Sequence, residues 1–178
     1  IQADTLGSPL TQPTLKLTNT IIRNMSTAGV LGQGTWIEAY NCVISNCGQY
    51  AVALNIGGFY DFKHCTIGNY WNFSTRQTPS VFLNNYYQDI QNNYHIRELY
   101  QATFANCIIH GSIAEEIQLD SFPNIGKFNY KFDHCLLKTE TKTSNTTHFI
   151  NCLVNSSPGF INAYEHNFEL SAGSASIN

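Results

Sequence analysis

Along this chain one six-residue alternation of apolar and turn-forming positions recurs six times. The segments are LTNTII (Leu17 to Ile22), AYNCVI (Ala39 to Ile44), FKHCTI (Phe62 to Ile67), FANCII (Phe104 to Ile109), FDHCLL (Phe132 to Leu137) and FINCLV (Phe149 to Val154). Each opens on an apolar residue, has Asn or His third, Cys or Thr fourth, and Ile, Leu or Val last. The fourth and sixth positions have the period-2 spacing of a strand with one buried face, whereas an amphipathic helix needs apolar residues three and four apart over longer runs. The third position is Asn19, Asn41, His64, Asn106, His134 or Asn151. Asn and His are the non-glycine types enriched in left-handed backbone, so this column predicts a corner between two strands. An Asn at such a corner can also bond its stacked neighbours. A second corner is predicted two positions after the last apolar residue, at Asn24, Asn46, Asn69, Gly111, Thr139 and Ser156.

The fourth column, Thr20, Cys42, Cys65, Cys107, Cys135 and Cys152, advances by 22, 23, 42, 28 and 17 positions. Steps near 22 predict one coil each. An antiparallel sandwich does not demand the same residue at the same corner at that interval, so identical columns predict parallel stacking at about 4.8 Å. The expected fold class is therefore all-β: a single right-handed parallel β-helix, a solenoid of about six coils with loop insertions. One domain is expected over 1–178, with a lead-in at 1–14, coils at 15–156 and a closing segment at 157–178.

Charge narrows the partners. A net charge of -3 gives no footprint for nucleic acid, and no run of apolar residues is long enough to enter a membrane as a helix. Charged residues make up 12% of the chain, well under the usual quarter or so, while twenty positions are Asn. The opening IQADTLGSPL has no signal-peptide pattern, and a strand-like segment arrives by Leu15, so upstream coils of the same protein are an expected partner for the first strand edge.

Six cysteines raise a disulfide or metal reading, but no pair has CxxC spacing and stacked parallel side chains are poorly aimed for a bridge. Buried thiols and no metal or cofactor are expected, with Cys47, beside Gly48 and outside the column, the one worth testing as an exposed thiol. His64 and His134 share the Asn corner, which makes them structural rather than ligands.

Function in a repeat fold is sought where coil length varies. The longest step contains a further strand, SVFLNN (Ser80 to Asn85), and then the excursion YYQDIQNNYHIRE (Tyr86 to Glu98). Tyr70, Trp71, Tyr86, Tyr87, Asp89, Tyr94, His95 and Arg97 are the candidate ligand-binding residues, since aromatic faces and polar rims suit a sugar ring. The competing reading is that these aromatics pack the loop onto the body. A second excursion carries Glu115, Glu116 and Asp120, candidates for the paired carboxylates that most glycosidases require. Adjacent residues point apart on a strand, which counts against Glu115 and Glu116 as a pair. Asp61 and Asp133 are expected to project outward from strands. GxSxG, HExxH, P-loop and GxGxxG motifs are absent. Asn24, Asn72, Asn145 and Asn155 begin N-x-S/T sequons, which matter only in a eukaryotic secretory host.

The F-x-N-C-x-I pattern with Asn or His at the corner resembles the pectin-lyase-like right-handed parallel β-helix proteins of bacterial cell envelopes. The ending, NSSPGFIN (Asn155 to Asn162) and NFELSAGSASIN (Asn167 to Asn178), is similar to the closing signature of such secreted domains, with Ser157 in place of an Asp. The resemblance implies export, to the extracellular space, cell surface or periplasm, as the C-terminal part of a surface or periplasmic lipoprotein, and it implies no catalytic residues. Two functions remain open on these grounds: a noncatalytic envelope module that is structural or binds a glycan, and, as the alternative, a polysaccharide lyase or glycoside hydrolase.

Overall fold

The computed structural model describes residues 1–4 and 11–177. Part of the lead-in, residues 5–10, and the last residue of the closing segment, Asn178, lie outside the described residues. The first strands are β1 (Gln2–Asp4), β2 (Leu15–Thr18), β3 (Ile21–Arg23), β4 (Ala28–Tyr40), β5 (Val43–Ser45), β6 (Tyr50–Lys63) and β7 (Thr66–Asn69). There follow β8 (Val81–Asn84), β9 (Tyr86–Gln88), β10 (Tyr94–Ile96), β11 (Leu99–Ala105), β12 (Ile108–Gly111), β13 (Ile117–Asp120) and β14 (Phe128–Asp133). The chain ends with β15 (Leu136–Leu137), β16 (Phe149–Ile150), β17 (Leu153–Val154), β18 (Phe160–Asn162), a single 3-10 turn (Ala163–Glu165) and β19 (Asn167–Leu170).

The protein is all-β, and its two large sheets are parallel. Nine strands form one, in the order β1-β4-β6-β11-β14-β16 with β2 on β4, β8 on β6 and β13 on β8; six form the other, in the order β3-β5-β7-β12-β15-β17. The six recurring segments stack in the register their columns predict. Leu17, Ala39, Phe62, Phe104, Phe132 and Phe149 are successive partners in the first sheet. Ile22, Ile44, Ile67, Ile109, Leu137 and Val154 are partners in the second. Phe62, Phe104, Phe132 and Phe149 form a continuous ring stack at 5.1, 5.1 and 5.4 Å, a parallel stacking that adds to the burial of each ring.

All six corner residues have left-handed backbone, with φ from 48 to 54°. Asn41 Nδ2 donates to Asn19 Oδ1 at 2.8 Å, and Asn151 Nδ2 meets His134 Nε2 at 3.1 Å, so amide stacking holds both ends of the column. The second corner is only partly where it was expected. Asn24 and Asn46 are left-handed, but Asn69 and Thr139 are not, and Asn155 turns the chain instead of Ser156. Asn69 serves differently: buried, its Oδ1 accepts the Cys47 N–H at 2.9 Å and its Nδ2 donates to the Gln49 carbonyl.

A third strand position escapes the six-residue pattern. The first halves of β4 and β6 continue the sheet through β8 and β13, with Val30, Val52, Val81 and Ile117 in one column and Gly32, Leu54, Leu83 and Leu119 in the next. In β6 the bend between this face and the Phe face falls at Ile56, Gly57 and Gly58, all with positive φ. Glycine is required at Gly58, where φ is 118° and a Cβ would run into the Thr35 carbonyl and the Tyr60 hydroxyl. That hydroxyl donates to Gly57 O at 2.7 Å, satisfying a buried phenol at the bend. From β1 to β15 the chain thus returns in turn to three strand positions, with insertions at the turns between them, and among the described residues β16 and β17 have no third-position strand.

Cysteine fills the corner as a small apolar residue that can also donate weakly. Cys65, Cys107, Cys135 and Cys152 each place Sγ near the carbonyl two residues back and near the carbonyl of the first-column residue one coil earlier. All six thiols are free. Cys47, the thiol singled out for a test of exposure, is completely buried; its N–H is held by Asn69, and Gly48 N donates to Met25 O, which folds this corner inward. Burial pushes the Cys42, Cys47 and Cys107 thiols up, so they stay protonated.

Candidate functional site

The Tyr86–Glu98 excursion is inserted at the bend between the third strand face (β8) and the Phe face (β11). The next coil inserts a shorter loop at the equivalent bend, between β13 and β14. The two insertions are therefore neighbours, and they are tied together: Asn85, completely buried, accepts the Phe122 N–H at 2.8 Å, and Glu98 accepts the Lys127 N–H at 3.0 Å.

Within the longer insertion β9 and β10 pair as an antiparallel hairpin, with Tyr86 opposite Ile96, Tyr87 opposite His95 and Gln88 opposite Tyr94. Alternation divides its side chains between two faces. On one face, Tyr86 and the 52%-exposed Tyr94 pack at 5.8 Å and both contact Phe122 of the neighbouring insertion, at 5.6 and 5.2 Å. The Tyr86 hydroxyl donates to both oxygens of Asp120, the shorter at 2.9 Å, and that carboxylate holds the phenol above its ordinary value. On the other face the Tyr87 and His95 rings stack at 4.9 Å and 14°.

Asp89 fixes the turn. Its Oδ1 accepts the N–H groups of Gln91 and Asn93, each at 2.9 Å, while Oδ2 lies 2.8 Å from His95 Nε2. The contact with His95, followed by the Asn93 N–H, draws the Asp89 carboxyl down to about 2. An ionised Asp89 thus holds the His95 ring in place against Tyr87. Ile90 at the tip is 94% exposed, and Arg97 is exposed at the foot of the hairpin, its N–H on the Asn85 carbonyl.

Tyr70 and Trp71 belong to a second aromatic group. Tyr70 packs among Phe160, Tyr164 and Phe168 of the closing segment, and its hydroxyl lies 2.7 Å from His110 Nδ1. Burial, reinforced by Glu116, pushes the phenol up, so Tyr70 donates and His110 Nδ1 accepts; burial and Lys138 push His110 down to about 4. Trp71 rests on Phe73 and donates to Ser74 Oγ.

The chain matches no protein-family model, no curated protein and no solved structure. What the site can do must therefore be read from its own chemistry.

The candidate carboxylates are bound up with protein donors. Glu116 is completely buried in a two-pronged pair with Arg76 at 2.6 and 2.9 Å, and it also accepts from Ser80 N, Ser80 Oγ and Ile113 N. Glu115 accepts from Ile117 N and Thr139 Oγ1 on one oxygen and from Glu140 N and Thr141 Oγ1 on the other. Asp120 holds Tyr86. Asp61 and Asp133 lie on the outer face of the nine-stranded sheet, paired with Lys63 at 2.6 Å and Lys131 at 3.2 Å. Among the described residues, no group of three or more His, Cys, Asp or Glu side chains is arranged to hold a metal ion.

Phe122 and Ile90 are the site residues that sequence reasoning passed over. Phe122 had a signal: it occupies the same bend one coil after the hairpin, which the third strand column makes visible.

Proposed function

We propose that this chain is a single right-handed parallel β-helix of the pectin-lyase-like kind, an exported, noncatalytic cell-envelope module that binds glycan on the outer face of the β9/β10 hairpin. The repeated visit to three strand positions supports the β-helix, and parallel crossovers are right-handed in about 98% of cases because of strand twist. The observation that carries the binding reading is the Tyr87–His95 stack, a preorganised ring surface on an exposed hairpin. The contacts of Tyr86 and Tyr94 with Phe122 on the opposite face already tie the hairpin to the neighbouring insertion, which leaves half-buried Tyr87 and exposed His95 available to a ligand. Stacked rings offer an apolar face to sugar C–H groups, and the exposed Gln91 and Asn92 amides of the turn offer hydrogen bonds to hydroxyls.

A glycan-array screen, paired with an assay for unsaturated uronate or new reducing ends on any hit, tests the reading. Binding without turnover that is lost in Tyr87→Ala supports it. Turnover would favour the lyase or hydrolase alternative, and binding undiminished by Tyr87→Ala would remove the hairpin from the account.

A further inference from the structure

Cross-strand register brings three residues of the six-stranded sheet into one row beside the closing hairpin. Arg23 on β3 pairs with Ser45 on β5, and Ser45 pairs with Gly68 on β7. The row faces outward, because it alternates along each strand with the buried Ile22, Ile44 and Ile67. At Gly68 a Cβ would run into the Phe168 ring of β19, so the hairpin lies over this end of the row. Ser45, next to it, is 0% exposed, and its hydroxyl has no hydrogen-bond partner among the described residues. At the other end Arg23 is exposed, and among the described residues no ion pair or hydrogen bond holds its guanidinium.

A cleft of about 450 Å³ opens along this row, lined by both Arg23 and Ser45. Its floor continues into Ile21, Val43 and Thr66, the neighbouring outward residues of the same three strands, and Phe168 walls the hairpin side. Ile21 is 67% exposed, an apolar surface that the closing hairpin leaves uncovered. Glu169, the acidic residue of the lining, follows Phe168 on β19, and alternation turns its side chain to the opposite face of the hairpin. His166, on the same wall, is already engaged with the Asn46 and Asn24 amides.

The cleft therefore sets an apolar floor beside a guanidinium and an unused hydroxyl that stand one strand spacing apart, about 4.8 Å. A carboxylate accepts charge-assisted hydrogen bonds from both at once, and an apolar body attached to it matches the floor. A neutral polyol would satisfy the hydroxyl but would use neither the charge nor the apolar surface. The volume lies within the range of small-molecule sites, about 300–1,000 Å³. We propose that this cleft binds a small carboxylic acid with an apolar body, the carboxylate bridging Arg23 and the Ser45 hydroxyl and the body lying on Ile21, Val43 and Phe168. The site is separate from the β9/β10 hairpin and does not rest on glycan binding there.

An NMR titration with hexanoate, following the methyl signals of Ile21, Val43 and Thr66, reads the site; acetate supplies the head group alone and hexanamide the uncharged body. Hexanoate is expected to shift these signals to saturation, and hexanamide to bind about tenfold more weakly for want of a charge-assisted contact. Arg23→Met keeps an unbranched apolar stem and should lose the same factor. Ser45→Ala should weaken hexanoate by about threefold or more while leaving the protein no less stable to urea, because it removes a hydroxyl without a partner. Silence of all three methyl-bearing residues toward hexanoate overturns the proposal. So does hexanamide binding as tightly as hexanoate, which would leave an unselective apolar cleft, or acetate binding as tightly, which would leave an adventitious ion only. Hexanoate shifts that keep their full affinity in Arg23→Met place the carboxylate elsewhere and overturn it too.

Discussion

Glu116→Gln keeps the shape of a side chain while removing the one negative charge that faces a buried guanidinium. Arg76 is 1% exposed in its side chain and Glu116 is 0% exposed. Besides Glu116, the guanidinium donates to the carbonyls of Thr78 and Asn69 and to Ser112 Oγ, so the pair clamps the Tyr70–Ser80 connection onto the next coil. The carboxylate accepts on both oxygens, two contacts on Oε1 and three on Oε2. An amide replaces one of those acceptors with a donor, leaving Arg76 without a counter-ion and at least one N–H facing another. Breaking a buried pair by removing one partner costs about 3–5 kcal/mol, against about 1 kcal/mol for an exposed pair. For a chain of this size each kcal/mol moves the melting midpoint by about 2–4 °C, so the variant should melt on the order of 10 °C lower. Far-UV circular dichroism against temperature and urea reads this, and an Arg76→Met, Glu116→Leu double variant should recover only part of the loss, because it removes the unpaired charge but leaves Ser80 N, Ile113 N and the Thr78 and Asn69 carbonyls without partners. A Glu116→Gln protein melting within about 2 °C of wild type would refute the reasoning.

Labelling with a thiol reagent should find five cysteines protected in the folded protein, with slow reaction at half-buried Cys152, and six reactive thiols in denaturant; a fast native thiol at Cys47 would contradict the burial of that corner. At the corner column, Asn106→Ala should destabilise by about 1 kcal/mol and Asn106→Gly by less, measured by urea midpoint, because the left-handed φ of 52° penalises a Cβ and not a glycine. Asp89, drawn down to about 2, favours the folded hairpin above the ordinary carboxylate range near 4, and the benefit is lost as pH falls through about 2. Amide protection at Gln91 and Asn93 should accordingly hold down to about pH 4 and fall below it, and Asp89→Asn should remove that dependence.

The parallel register was legible in the sequence because three columns carry distinctive chemistry: Phe that stacks, Cys that fits a tight corner, and Asn or His that accepts left-handed backbone. The third strand face repeats as well, in VLGQ (Val30 to Gln33), VALN (Val52 to Asn55), VFLN (Val81 to Asn84) and IQLD (Ile117 to Asp120). It was missed because ordinary aliphatic residues do not announce a column and because insertions shift its spacing from the Cys corner. The outward column of the six-stranded sheet, Ile21, Val43, Thr66, Ile108, Leu136 and Leu153, was a signal of the same kind, apolar where solvent was assumed; its middle residues are buried or half-buried, while Ile21 and Leu153 at its ends stay exposed. The second corner was half legible, since Asn46 turns the chain whereas Asn69 bonds across the corner instead. At the candidate site, the division between Tyr86 and Tyr94 on the Phe122 side and Tyr87 and His95 on the other follows from strand alternation, but only once the turn at Asp89 fixes the register. The burial of Glu116 had no sequence signal, because its partner Arg76 lies forty positions away in another insertion.

The most direct test of the account is an NMR titration of the protein with whichever saccharide an array identifies, following the aromatic ring signals. The account predicts that the Tyr87 and His95 rings shift and saturate together, while Trp71 and Tyr70 stay in place. Shifts confined to Tyr70 and Trp71, or spread over the outer face of the nine-stranded sheet with the hairpin silent, would contradict it.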